Sequence, residues 1–312
     1  LEDAEVDHRH DPQFAERPST AKAAGRRPRV GFVSQYLREH SVWKIQGAWI
    51  TRSSAAIEKY VYYSGTVADQ YTEDVRAAAD VFLQEPDMDR LIPAIASHKL
   101  DALVYLDHGM SYRMQLPAGL WLAPIQCNGL CHPITSGLPT MTHALSSALM
   151  EPPDGDAHYS EQLIRLPNSA YCFSLKRIQS VLAGLESANP SGDRIRFLCS
   201  QNLQKYLPQF DRVFADIAAE LSTAEFHFIG PRKFTTEFFR TRLRRAFAKK
   251  RLDADRFCVF HPRLSTQDYL RLNMLCDVFL DSIHWSGNNT AHEAAACGLP
   301  IVTLPGPMMR GR

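Results

Sequence analysis

Between Val278 and Gly306 the chain passes from one short apolar run to another through a helix-forming segment, and this order constrains the fold more than any other feature of its 312 residues. The run Val278–Phe279–Leu280 ends in the carboxylate of Asp281 and leads into a polar turn containing Gly287. Asn288, Asn289 and Thr290 then open a helix that Gly298 and Pro300 stop, and Ile301–Val302–Thr303–Leu304 reads as the next buried strand. A helix start gathers unpaired backbone N–H groups and the positive end of the helix dipole, so this turn is suited to a phosphate. Glu293 lies within a helical turn of Asn289 and Thr290, where a carboxylate can accept hydrogen bonds from ribose hydroxyls. Taken alone, Asn and Thr at such a place can equally do no more than cap a helix.

The same alternation fills most of the chain. Arg29–Ser34 (RVGFVS), Tyr60–Gly65, Ala102–Asp107 and Pro124–Cys127 read as strands, separated by helical stretches such as Ile45–Ser54. A second series follows in Arg194–Ser200, Ala224–Gly230 and Phe257–His261, with helices expected over Asp211–Leu221 and Lys233–Lys250. Apolar strands alternating with helices predict an α/β fold of parallel sheets covered on both faces. The length and the 45% hydrophobic content suit two domains. We place them at 29–176 and 193–312, with a linker at 177–192 and a charged, Pro/Ala-rich leader at 1–28.

Charge and cysteines narrow the function. A formal net charge of +1 provides no overall field for gathering nucleic acid or acidic membranes. No apolar run approaches the ~20 residues of a membrane-spanning helix, and the first residues are too polar for a signal peptide. Seven scattered cysteines suit reduced thiols in a cytoplasmic protein. Neither Cys127–x–x–x–Cys131–His132 nor His8 and His10 has the partners a metal site needs, so no metal is expected.

Residues just past the strand ends face the cleft of an open parallel sheet. His40, in the segment after RVGFVS, brings an imidazole suited to proton transfer, or else a helix-start histidine bonded to backbone. Asp107–His108–Gly109 ends another strand. The loop His132–Pro139 could cradle a sugar or phosphate with its backbone N–H groups and with the hydroxyls of Thr135 and Ser136 beside Gly137. Beyond Arg194–Ser200 come Gln201, Asn202 and Lys205, and an ammonium there is placed to neutralise a leaving diphosphate. TRLRRAFAKK, within 233–250, reads as a solvated basic helix with Phe238, Phe239, Leu243 and Phe247 as its core stripe, rather than as a nucleic-acid arm.

The pattern L-D-x-x-x-W-S-G-x-N-T-x-x-E-A-x-x-x-G-L-P-I-V-T-x-P-G at 280–306 resembles the nucleotide-sugar site of the O-GlcNAc transferase and SPINDLY group, glycosyltransferase family 41. V-G-x-V-S at 30–34, P-x-T-S-G at 133–137 and the run P-P…Y-S-E-x-L-x-x-L-P ending at Pro167 match the same group in the same order. The likeness covers roughly residues 29–312 and implies a GT-B fold, two Rossmann-like domains facing a central cleft. The activity it implies is inverting transfer from a UDP-sugar, most often UDP-GlcNAc, to Ser or Thr hydroxyls of protein, without a metal. Among the residues it implicates, Lys205 holds the donor diphosphate and His40 lines the donor and acceptor site. Gln201, Asn202, Asn288, Asn289, Thr290, Glu293, Thr135, Ser136 and Gly137 contact the donor, and Tyr269 stacks on the base where the family has an imidazole. Tyr36 stands where better-known members carry an aspartate, so no residue is assigned as general base. Relatives carry tetratricopeptide repeats upstream and continue past Arg312, which implies an incomplete second domain here. Another nucleotide-hexose with a surface-glycan or Asn acceptor, or a non-catalytic UDP-sugar-binding module, are the alternatives.

Overall fold

The computed structural model describes residues 12–19, 25–170, 173, 176–184 and 192–311. His8 and His10 lie outside them. The chain divides into two compact units, Leu1–Phe173 and Ser174–Arg312.

The first unit runs β1 (Arg29–Ser34), α1 (Ser41–Thr51), β2 (Glu58–Tyr63), α2 (Gln70–Ala78), β3 (Val81–Gln84), α3 (Met88–Ser97), β4 (Ala102–Tyr105), α4 (Gln115–Ala118), β5 (Ile125–Asn128), β6 (His143–Ser147) and β7 (Gln162–Leu166). Its seven strands are all parallel, in the order β3-β2-β1-β4-β5-β6-β7. Successive residues of each central strand feed opposite faces. Tyr60, Tyr62, Leu103 and Tyr105 pack with Ile92 and Met114 on one side, while Val61, Tyr63, Val104 and Leu106 pack with Val42 and Ile50 on the other. Both faces are therefore core, which is why these strands are apolar throughout rather than alternating.

The second unit runs α5 (Lys176–Ala183), β8 (Ile195–Cys199), α6 (Asp211–Glu220), β9 (Ala224–Ile229), α7 (Lys233–Ala248), α8 (Ala254–Phe257), β10 (Cys258–His261), α9 (Thr266–Leu275), β11 (Val278–Leu280), α10 (Asn289–Ala296) and β12 (Ile301–Val302). Its parallel sheet has the order β10-β9-β8-β11-β12. Phe226 and Phe228 meet Phe214, Phe239 and Phe247 on one face, with Phe214 and Phe228 edge to face at 5.1 Å. Leu198 and Phe279 meet Leu272, Ala294 and Leu299 on the other.

Several expectations are corrected. Phe14, in the leader, is buried in the first unit's core, its carbonyl accepting from the Trp121 N–H at 3.1 Å, and the Arg17 Nε donates to the Pro124 carbonyl at 2.8 Å. Part of the expected linker is the helix α5, which packs on α9 and α10. β12 is a sheet edge rather than a buried strand, with Ile301 and Val302 exposed at 38% and 54%. Phe238 stands outside the α7 core stripe, because Phe239, Leu243 and Phe247 already fill the four-residue spacing and Phe238 is turned about 100° from Phe239. The strands β3, β6 and β7 were not read from sequence: β3 is short and only half-buried, and β6 and β7 carry polar residues (HALSS, QLIRL). Among the described residues no helix is long and apolar enough to cross a membrane.

Candidate nucleotide-sugar site

In each sheet the strand order reverses next to the first strand, between β1 and β4 in one unit and between β8 and β11 in the other. The loops leaving the carboxyl ends of such a strand pair turn to opposite faces and open a crevice between them, which is where ligands bind in this architecture.

In the second unit the two loops are tied together. After β8, Ser200 and Gln201 are buried, and Asn202 caps the short turn Leu203–Lys205 by accepting from the Gln204 N–H at 3.2 Å. The buried Tyr206 hydroxyl accepts from the Gln201 N–H at 3.3 Å. This turn aims Lys205 back across the strand end, where Nζ donates to Gln201 Oε1 at 3.0 Å and to the Ser286 carbonyl at 3.1 Å. Gln201 Nε2 in turn donates to the Thr290 hydroxyl at 2.6 Å. Lysine, carboxamide and helix-start hydroxyl thus form one continuous chain across the switch point. Burial pulls the Lys205 ammonium down to about 8, against the opposing charge of Asp281.

Asp281 shapes the second loop. Its Oδ1 accepts from the Ser282 and Gly287 N–H groups at 2.9 and 2.8 Å, and its Oδ2 accepts from the Thr303 hydroxyl at 2.9 Å. The Ser282 hydroxyl closes the bend on the Trp285 carbonyl at 2.6 Å. Gly287 is required by close approach: a Cβ there would overlap Gln201 Nε2 and stand 2.5 Å from the Thr290 hydroxyl. The Lys205 ammonium and the Arg310 guanidinium stand 5.9 and 5.7 Å from the centroid of the Trp285 indole. Asp281, Trp285 and Arg310 were given no role from sequence, although the spacing of the aspartate and the glycine six residues on was visible.

α10 starts without a side-chain cap at Asn288. The Asn288 Oδ1, Asn289 Oδ1 and Ser286 hydroxyl are buried and have no hydrogen-bond partner among the described residues. Unmet acceptors and the free N–H groups of a first turn, gathered beside an ammonium, form a site prepared for a polar ligand. Glu293 is buried one turn along, and its charge, after burial, is a further cause of the raised Tyr269 phenol. The Tyr269 hydroxyl lies 3.2 Å from that of Ser200, and α9 carrying it is capped by Ser265. Tyr269, Ser200, Gln201, Asn202 and Arg263 line a cavity of about 580 Å³, while Lys205, Trp285 and Arg310 line a neighbouring one of about 550 Å³.

In the first unit, His40 is the N-cap of α1. Its Nδ1 accepts from the Val42 N–H at 3.3 Å, so in the neutral ring the proton sits on Nε2. Burial, then the charges of Arg38 and Lys44, lower it to about 4, and the ring stacks on Tyr36 with centroids 4.1 Å apart. His40 is thus both the helix-start histidine and a ring offering an Nε2–H donor. Asp107, buried past β4, accepts from the Gln35 N–H at 3.1 Å and so ties down the loop that leads to His40. Burial pushes its carboxyl up to about 7, against hydrogen bonds from Gln35 and Ser34. Thr135 and Ser136 are turned to Glu161, which accepts from the hydroxyl of one at 2.6 Å and the N–H of the other at 2.7 Å. Two of the donors this loop would offer a phosphate, the Thr135 hydroxyl and the Ser136 N–H, are therefore committed to a carboxylate, while Gly137 supplies a left-handed backbone with φ +69°. Cys131 accepts from Gln46 Nε2 at 2.9 Å.

No protein-family model matches the chain. It is 26% identical over 286 residues to the Arabidopsis thaliana protein named "Probable UDP-N-acetylglucosamine--peptide N-acetylglucosaminyltransferase SPINDLY", covering 89% of this chain and 31% of that one. The rice protein of the same name is 26% identical over 305 residues, covering 95% and 31%. The chain spans about 31% of the length of the curated relatives it matches. Among solved structures, an O-GlcNAc transferase mutant from Thermobaculum terrenum superposes with a TM-score of 0.75 at 27% identity, over 95% of this chain and 57% of that one. The sequence motifs and these likenesses agree: the fold is a GT-B α/β fold, and the region is like the catalytic part of the O-GlcNAc transferase and SPINDLY group.

Proposed function

We propose that this chain is the catalytic region of an inverting glycosyltransferase that moves GlcNAc from UDP-GlcNAc to Ser or Thr hydroxyls of protein. The observation that carries the reading is the hydrogen-bonded chain from Lys205 through Gln201 to Thr290 at the switch point of the second sheet. Support comes also from the names of the curated relatives and of the Thermobaculum structure.

In this reading the diphosphate lies against the Lys205 ammonium and the first turn of α10. Both are in place before the reaction, so they stabilise the charge that develops as the bond from the anomeric carbon to the diphosphate oxygen breaks and the acceptor hydroxyl oxygen, its proton released to solvent, bonds to that carbon from the opposite face. That stabilisation takes the part a divalent cation plays in other transferases, so no metal is required. Glu293 accepts from the ribose hydroxyls, and Tyr269 borders the base. Asn288 and Asn289 use their unpaired carbonyls on donor hydroxyls, and Gln201 and Asn202 hold the strand end. His40 acts as a hydrogen-bond donor to the substrate through Nε2.

UDP release from UDP-GlcNAc, with and without a Ser/Thr peptide library and with EDTA present, tests this directly. Peptide-dependent release that survives EDTA is expected. Tight UDP binding without release would leave a nucleotide-sugar-binding module, and release only from another nucleotide-hexose would change the donor.

A further inference from the structure

The net charge of +1 hides a strongly uneven distribution. On α7 the residues 234, 238, 241 and 245, followed by 249 at its cap, fall on one side of the helix, a stripe of about 22 Å at 1.5 Å per residue. It reads Phe234, Phe238, Thr241, Arg245, Lys249, and contains no carboxylate. Phe234 is 84% and Phe238 59% exposed, one helical turn apart. Arg245 and Lys249, with Arg212, Arg242 and Lys250, line a groove of about 490 Å³ between α6 and α7. Asp211 and Asp216 in that groove are engaged by Arg242 at 2.7 Å and Lys250 at 2.7 Å, which leaves Arg245 and Lys249 with no ion pair to a described residue.

We propose that this face of α7 is a peripheral docking surface for an anionic lipid bilayer. Two largely exposed phenyl rings are suited to an apolar medium, and the cations farther along the same stripe are suited to a layer of negative charge beside it. A bilayer interface offers both at once, headgroup phosphate over acyl chain, to a helix lying in its plane. The Arg242 guanidinium lies 5.9 Å from the Phe238 ring centroid, but the cations of the stripe itself, Arg245 and Lys249, begin about 10 Å farther along the helix than Phe238, unlike a single-strand nucleic-acid groove, in which aromatic rings are interleaved with the cations that track the backbone. A protein partner would need two separate pockets for the phenyl rings, which a fluid acyl layer does not.

Co-sedimentation of the chain with phosphatidylcholine vesicles, with and without phosphatidylglycerol, tests the surface. Binding is expected only with phosphatidylglycerol, weakening as salt is raised. Phe234→Ser with Phe238→Ser, and separately Arg245→Glu with Lys249→Glu, are each expected to weaken it at least tenfold, while thermal unfolding, monitored by circular dichroism, stays unchanged. Absence of binding to the anionic vesicles overturns the proposal, as does binding that both variants retain. Stronger binding to poly-glutamate or to a single-stranded oligonucleotide, lost in the same variants, also overturns it and gives the face to another class of partner.

Discussion

Gln201 donates its side-chain amide to the Thr290 hydroxyl at 2.6 Å, across the point where β8 and β11 send their loops to opposite faces of the sheet. Its carbonyl end accepts from Lys205 at 3.0 Å, so one carboxamide fixes the relative positions of an ammonium and a helix start. In the proposed reaction neither group has to reorganise when the diphosphate arrives, and such preorganisation is what makes contacts of this kind effective in a transition state.

Removing the ammonium is therefore the most direct test of the proposed chemistry. Lys205→Ala is expected to lower kcat for transfer from UDP-GlcNAc roughly hundredfold, about 3 kcal/mol of transition-state stabilisation. Steady-state UDP release measures it, and wild-type turnover by the variant would strip Lys205 of its assigned role. A pH series adds a second readout. Because burial brings Lys205 down to about 8, the free site loses its cation as pH rises through that value. Calorimetric affinity for UDP should accordingly be weaker at pH 9 than at pH 7, and this difference should vanish in Lys205→Ala.

Gly287→Ala probes the carboxamide without touching a charge. The added Cβ overlaps the tip of the Gln201 side chain and stands 2.5 Å from the Thr290 hydroxyl, so both side chains must turn away, and the fold is expected to survive with a lowered unfolding midpoint. Swinging away breaks the bridge from Lys205 to Thr290, and UDP affinity is expected to fall about tenfold, near 1.4 kcal/mol. Unaltered UDP affinity in a folded Gly287→Ala protein would mean that the bridge does not organise the site.

Much of this was legible in the sequence, for identifiable reasons. β1 was read as Arg29–Ser34 to the residue because both of its faces are buried, and Val278–Leu280 emerged for the same reason. The helix start at Asn289 and the lysine past β8 were visible because turn residues and strand ends leave local marks. What stayed hidden depends on tertiary partners. No spacing in the chain indicates that Glu161 accepts from the Thr135 hydroxyl and the Ser136 N–H, whereas a helix-start histidine bonded to backbone was one of the two readings open for His40. The leader misled because a single buried Phe14 among polar residues has no period to detect.

His40 carries a prediction that follows from its tautomer. With Nδ1 accepting from Val42 and the ring neutral above about 4, the side chain presents the same Nε2–H donor throughout the working range. The pH profile of kcat/KM should then show no limb between pH 5 and 7 that disappears in His40→Gln. That variant keeps a donor and is expected to retain more activity than His40→Ala. A limb near pH 6 present in the wild type and lost in His40→Gln would instead assign proton transfer to this ring.

Asp107 sits in the same unit with its carboxyl raised to about 7, chiefly by burial, against 3.8 for an ordinary aspartate. Between those values the folded chain binds a proton that the unfolded chain has released, so this stabilising contribution is complete below about 3.8 and is lost as pH rises through 7. At pH 8 the fold therefore carries a buried, ionised carboxylate at a cost. Asp107→Asn keeps an acceptor for the Gln35 N–H while removing the ionisation. Its stability relative to the wild type should therefore improve between pH 5 and pH 8 by on the order of 2 kcal/mol, read from urea unfolding midpoints at the two values. A stability difference between the two proteins that is the same at both pH values would show that Asp107 does not take up its proton in the fold.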